Sequence, residues 1–271
     1  MNCKGKQNLQ IISFKLNAIL AGKWITWLTV FLFFYVNYSA LVSSGVLASG
    51  GADFNAVDKY TLISNNYSAV SSLYGLLLAI LLGAGTIGPD CLSKNIYILL
   101  TSYPSRKRYY ANSLLASWLY YFVVHVLVTG DYLLLLRIFK LTFPVSDTLN
   151  LFLGILLNST VLLMISGMAS IFWEGYRSAI AGVFAYAFYY MYTFNTIPFV
   201  NTMLGFDMNR YKNILFHLVP VQYVLTRSIT DDIVLTYYHI SAIGGNAYLY
   251  QAIYCLLLLV LACFLFEHRD L

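Results

Sequence analysis

His125 and Asp131 are the first residues whose type and setting suggest chemistry. Both fall in the apolar run Asn112–Leu136, about 9 Å apart along a helix. An ionisable side chain in hydrocarbon costs several kcal/mol unless it is paired or wet. Six residues of separation puts the two on different helical faces, so they are not a ready proton relay. Each is expected either to hydrogen-bond a neighbouring span or to face a polar cavity, and a neutral His125 would bridge two helices.

The remaining reactive types do not converge. His125, His217, His239 and His268 stand on separate segments, without the spacing that sets two metal ligands on one helical face. Cys3, Cys91, Cys255 and Cys263 form no CxxC pair. Asp231 and Asp232 read as a solvated cap or turn. Glu174 and Arg177, three apart in a tight turn, are expected to form a local ion pair. Neither a nucleophile elbow nor a Gly-rich GK[ST] loop occurs. An enzyme reading has no anchor, and ATP cannot be bound here by the P-loop route.

The elements that would carry these residues follow from composition. Of 271 residues 60% are hydrophobic and 10% charged, and the mean hydropathy is +0.71. A soluble domain carries about 25% charged residues, so a water-soluble globule is excluded. An all-α polytopic membrane protein is expected, one domain over 1–271, with room for roughly six spans. The expected spans are Trp24–Val46, Tyr67–Gly88, Asn112–Leu136, Leu149–Trp173, Ala179–Ile197 and Ala247–Phe266. An even number sets both termini on one side. The segments on that side hold ten of the 16 Lys and Arg residues, chiefly before Trp24 and in Pro89–Ala111. The positive-inside rule then makes both ends cytoplasmic. The net charge of +5 serves topology rather than nucleic-acid binding. The polar start carries no cleavable signal pattern.

Two stretches fall outside the plain span pattern. Leu9–Lys23 places Leu9, Ile12, Leu16, Ile19 and Leu20 at helical spacing among polar residues. This predicts an amphipathic helix on the inner membrane face or, alternatively, a frayed start of the first span. The outer segment 199–246 contains the apolar run Ile214–Leu225, too short to cross and interrupted by Pro220, which predicts a re-entrant or interfacial helix.

Aromatic and small residues suggest packing and a path. The fifth span mixes Tyr186, Tyr189 and Tyr190 with small residues; together with His125, these tyrosines could line a route for an amphipathic substrate, though plain packing also accounts for them. Gly75, Gly83, Gly85 and Gly88 in the second span suggest a close helix contact, and Gly83 and Gly85 could alternatively form a dimer face. In the inner loop Pro89–Ala111, Ser93–Leu100 can form a short helix with Ile96, Leu99 and Leu100 on one side. Tyr103-Pro104 ends it, and Arg106-Lys107-Arg108 follows. This loop is either a simple positive anchor or a docking knob for a cytoplasmic partner.

The sequence resembles the membrane-spanning permease subunits of ATP-binding-cassette exporters, the class with six spans and separate ATPase chains. The resemblance rests on the amphipathic connecting helix at Leu9–Lys23 and on Asp90 followed by KNIYILLTSYPSRKRYY (Lys94–Tyr110). It also rests on the charged ending FEHRDL (Phe266–Leu271). Pro89-Asp90 stands where many members have a Glu in a longer polar lead.

The resemblance implies a pair of permeases bound to two cytoplasmic nucleotide-binding ATPase subunits that carry ATP and Mg, with no cofactor on this chain. Ser93, Lys94, Asn95, Ile96, Tyr97, Leu99 and Leu100 would belong to the main coupling helix, and Glu174 and Arg177 to a smaller second contact. The substrate would be a hydrophobic or amphipathic peptide, lipid or drug, and the setting a cell membrane, bacterial by type. Two other classes fit the composition: a non-transporting membrane anchor or sensor that recruits a cytoplasmic partner, and a polytopic membrane enzyme.

Overall fold

The structure is a computed structural model that describes residues 3–49, 60, 63–64, 66–68, 70–94, 105–141, 145–193 and 247–269. Every regular element among them is a helix. In chain order these are α1 (Cys3–Ala21), α2 (Lys23–Ser49), α3 (Leu76–Ala84), α4 (Gly88–Leu92), α5 (Arg106–Ile138), α6 (Val145–Ala169), α7 (Ala179–Thr193) and α8 (Ala247–His268). A π-helical turn, Ser71–Gly75, leads into α3.

Four helical runs are long and apolar enough to cross a membrane: Asn66–Leu92, α5, Leu151–Ala169 of α6 and Tyr248–His268 of α8. A fifth is added if α1 and α2, bent by 72° at Gly22, count as one broken span. These helices fit a multi-pass membrane protein. The described residues thus supply four or five spans rather than six. Helix α7 has 15 residues up to Thr193; the rest of the expected fifth span lies outside the described residues, as does all of 199–246 with its expected re-entrant segment.

The bundle is held by close backbone approach and by buried polar pairs. Helix α3 lies so near α6 that a Cβ on Gly83 would sit 2.9 Å from Ser166 Cβ and 3.1 Å from Gly167 N. The tight contact expected of Gly83 is therefore made within one chain, and its surface is not free for a second copy. Gly85 lies beside the ring of Tyr176.

Along α5, hydroxyls pair with neighbouring elements: Tyr132 with Ser64 at 2.6 Å, Thr129 with Tyr67 at 2.7 Å, and Tyr121 with Ser159 at 2.5 Å. Helices α6 and α8 are joined by Gln251, which donates to Asn158 at 2.9 Å. Where no water competes, a buried polar group must find such a partner. The outer faces are apolar instead, with Val123, Leu127 and Leu134 of α5 and Leu256, Leu257 and Val260 of α8 exposed. Lipid is the solvent that suits them.

Candidate functional site

One end of the bundle gathers charge. On α1, Ile11, Lys15 and Ile19 recur every four residues and so share one face. Ile11 and Lys15 are buried, while Leu9 and Leu20 are exposed. Of the stripe expected at Leu9, Ile12, Leu16, Ile19 and Leu20, Ile19 packs against the core while Leu9 and Leu20 turn outward, and a lysine occupies the middle of the buried face.

Lys15 is received by the break between α3 and α4. After α3 ends, Gly85–Ile87 leave the regular helical ladder, and carbonyls there accept from outside the helix. Lys15 Nζ donates to Thr86 O at 2.9 Å and forms an ion pair with Asp90 in the first turn of α4. The Tyr109 hydroxyl of α5 donates to the same carboxylate oxygen, Asp90 Oδ2, at 2.6 Å. The ring of Tyr109 also lies 5.5 Å from the ammonium. A buried charge is tolerated only when paired and hydrogen-bonded, and this one has an acid, a carbonyl and an aromatic face.

The start of α4 is fastened a second time. Gly175, in the turn between α6 and α7, adopts φ +63°, a conformation that suits glycine. Its amide donates to Gly88 O at 2.7 Å, and a Cβ on Gly88 would overlap the Gly175 carbonyl. The neighbouring Tyr176 phenol is raised above its ordinary value by burial and, second, by the charge of Asp90.

This geometry corrects two expectations. Glu174 and Arg177 are both exposed and form no ion pair with each other. Residues three apart face each other on a helix, and here the left-handed Gly175 stands between them instead. Ser93 and Lys94 belong to the turn that closes α4, with Ser93 N donating to Pro89 O and Lys94 N to Cys91 O. Lys94 has φ +58°, so the short helix does not begin at Ser93. Asn95, Ile96, Tyr97, Leu99 and Leu100 lie outside the described residues.

The first turn of α5 meets the end of α8 at the same pole. Arg106 donates to Arg269 O at 2.8 Å, and Lys107 pairs with Glu267 at 2.5 Å on the surface. Arg269 reaches Cys91 Sγ at 3.6 Å, and Asn112 donates to Asn8 at 3.0 Å. Helices α1, α4, α5 and α8 and the Gly175 turn therefore converge within one connected set of polar contacts.

The expected substrate-path residues sit elsewhere. His125 is buried, and its Nε2–H donates to Phe152 O of α6 at 3.0 Å, since a carbonyl can only accept. Its ring stacks on Phe152 at 4.7 Å. Asp131 accepts instead from Asn37 of α2 at 2.6 Å, so the two α5 residues do face different helices. Tyr186 is buried in a cluster with Leu76, Ile80, Val161 and Cys255. Tyr189 and Tyr190 belong to α7, but their side chains are outside the described residues. Among the described residues, no three His, Cys, Asp or Glu side chains gather as a metal site would require.

Nothing in the local spacing pairs Lys15 with Asp90 or Tyr109, or Gly88 with Gly175. The available signal was Lys15 itself, at helical spacing between Ile11 and Ile19, where an apolar residue would continue the stripe. No protein-family model matches the chain, and no curated protein matches it either.

Proposed function

We propose that the chain is the membrane-spanning permease subunit of an ATP-driven exporter, working beside a second permease copy and coupled to separate cytoplasmic ATPase subunits. The observation that carries this reading is the hydrogen bond between Gly175 and Gly88. It joins the Trp173–Ser178 turn to the head of the 89–111 loop, the two segments that a transport ATPase would have to push together. The Lys15–Asp90 pair adds α1 to the same unit. In this reading the pole bearing Arg106–Arg108 faces the cytoplasm.

Force applied at the loop would then pass through Gly88 and Asp90 into α3, α1 and α5 together. ATP and Mg, held by the ATPase subunits, supply the energy that shifts the inward-open to outward-open balance. The substrate is a hydrophobic or amphipathic peptide, lipid or drug that crosses between the two permeases.

The test is affinity purification of the tagged chain from its native membrane, followed by ATPase assay after reconstitution. A co-purifying nucleotide-binding subunit is expected, with activity lost when Tyr97–Leu100 are replaced. Gly88→Val should keep the subunit bound while substrate no longer stimulates hydrolysis. A chain that purifies with a non-ATPase partner, or alone and without nucleotide-dependent change, would replace this reading with a recruiting anchor or an enzyme.

A further inference from the structure

Helices α5, α6 and α8 enclose a groove of about 370 Å³. Its walls include Ala111, Leu115 and Trp118 of α5, Leu157 and Thr160 of α6, and Leu256 of α8. The strong hydrogen-bonding groups on these walls are already used: Trp118 Nε1 donates to Thr160 Oγ1 at 3.1 Å, and Thr160 donates to Leu156 O at 2.7 Å. The groove therefore suits hydrocarbon. Leu115 and Leu256 on its lips are exposed, which places the opening on the outer, apolar face of the bundle.

Arg108 lies one helical turn before Ala111, the first residue of the groove on α5. Counting along α5, Arg108, Ala111, Leu115 and Trp118 fall at i, i+3, i+7 and i+10, one continuous stripe. Arg106 and Lys107 are engaged with the end of α8, whereas Arg108 is exposed and makes no hydrogen bond or ion pair among the described residues. Helix α5 has 33 residues, about 50 Å at helical rise, against about 30 Å of bilayer hydrocarbon. Its first turn can thus lie among headgroups while Ala111–Trp118 lies beside the acyl chains.

We propose that this groove holds an acyl chain of an anionic phospholipid whose phosphate is bound by Arg108. A guanidinium recognises phosphate by charge and by paired N–H donors, and the stripe leading from it offers only apolar surface. Neither half of the site explains the lipid alone: the groove selects a chain, and Arg108 selects the headgroup. The inference is independent of any transport role.

Trp118 is the probe. The full chain carrying Trp24→Phe, Trp27→Phe and Trp173→Phe keeps Trp118 as its single tryptophan. It is reconstituted in phosphatidylcholine vesicles containing acyl-brominated phosphatidylglycerol or acyl-brominated phosphatidylcholine at equal mole fraction. Quenching of Trp118 should favour the anionic lipid by about fivefold, the effect of one basic residue near a headgroup. Arg108→Gln should reduce that preference to none, Arg108→Lys should retain most of it, and Ala111→Phe should weaken quenching by both lipids. Equal quenching by both lipids in the parent would mean ordinary boundary lipid and would overturn the site. So would a preference that survives Arg108→Gln, or quenching that Ala111→Phe leaves unchanged. Absence of quenching by either lipid would also overturn the site, since another protein segment would then cover the groove.

Discussion

The amide of Gly175 donates to the carbonyl of Gly88 at 2.7 Å, across a gap that admits no side chain on Gly88. Two turns distant in sequence are thereby one mechanical piece.

Gly88→Ala should lower the stability of the detergent-purified chain by about 1–3 kcal/mol, since the added methyl must displace backbone. Gly175→Ala should cost about 1 kcal/mol through its positive φ. Gly130 is the control, because a Cβ there meets nothing within 4 Å. Gly130→Ala in the middle of α5 should be neutral or stabilising by up to about 1 kcal/mol. Thermal unfolding of the three variants measures the order; an equal loss from Gly88→Ala and Gly130→Ala would remove the close-contact argument.

Lys15→Met and Asp90→Asn should each cost about 3 kcal/mol, because each leaves a buried partner without its counter-charge. The double variant should lose much less than the sum of the two. Lys107→Ala is expected to change little, as the Lys107–Glu267 pair is exposed on both sides. A double-mutant cycle on unfolding free energy reads the coupling directly. Strict additivity of Lys15→Met and Asp90→Asn would contradict a cooperative pair.

His125→Phe should keep the stack on Phe152 while losing one hydrogen bond, for about 1 kcal/mol. His125→Ala should lose the packing as well and cost about 3 kcal/mol. Under the proposed exporter role, binding of the ATPase partner should be the same in both variants, since His125 lies on the α6-facing side of α5 and not among the Lys15 contacts. Unfolding and pull-down assays together separate a bridge from a transport residue.

Reversing Arg106, Lys107 and Arg108 to Glu should disturb membrane orientation, because three basic residues at one helix end are the main topological charge in the 89–111 loop. Accessibility of a cysteine placed at the C-terminus, read from each side of sealed vesicles, is the measurement. Unchanged orientation would assign these residues wholly to contacts with α8 and with lipid.

Much of the helical architecture was written in composition and hydropathy. Apolar runs long enough to span a bilayer needed no partner to be recognised, and α5 is centred on the run Asn112–Leu136. The six-residue separation of His125 and Asp131 likewise told that they face different ways. What could not be read was where a polar residue finds its partner.

Lys15 meets Asp90 and Tyr109 because α1, the first turn of α4 and the first turn of α5 come together at one end of the bundle. Local spacing says nothing about that convergence. Glu174 and Arg177 failed for the opposite reason: their spacing implied a helix, and one glycine at φ +63° removed it. Gly83 announced a close contact but not with which surface, since small residues favour approach between spans of one chain as readily as between copies.

The buried Lys15 also sets an order of events during synthesis. Its acidic partner is 75 residues further along the chain, which at about 5–20 residues per second is a wait of roughly 4–15 seconds. For that interval the Lys15 ammonium is without the carboxylate that holds it in the folded bundle. Its burial against Asp90 therefore follows delivery of the second span, so α1 acts as a closing strap on a nascent bundle rather than as its seed.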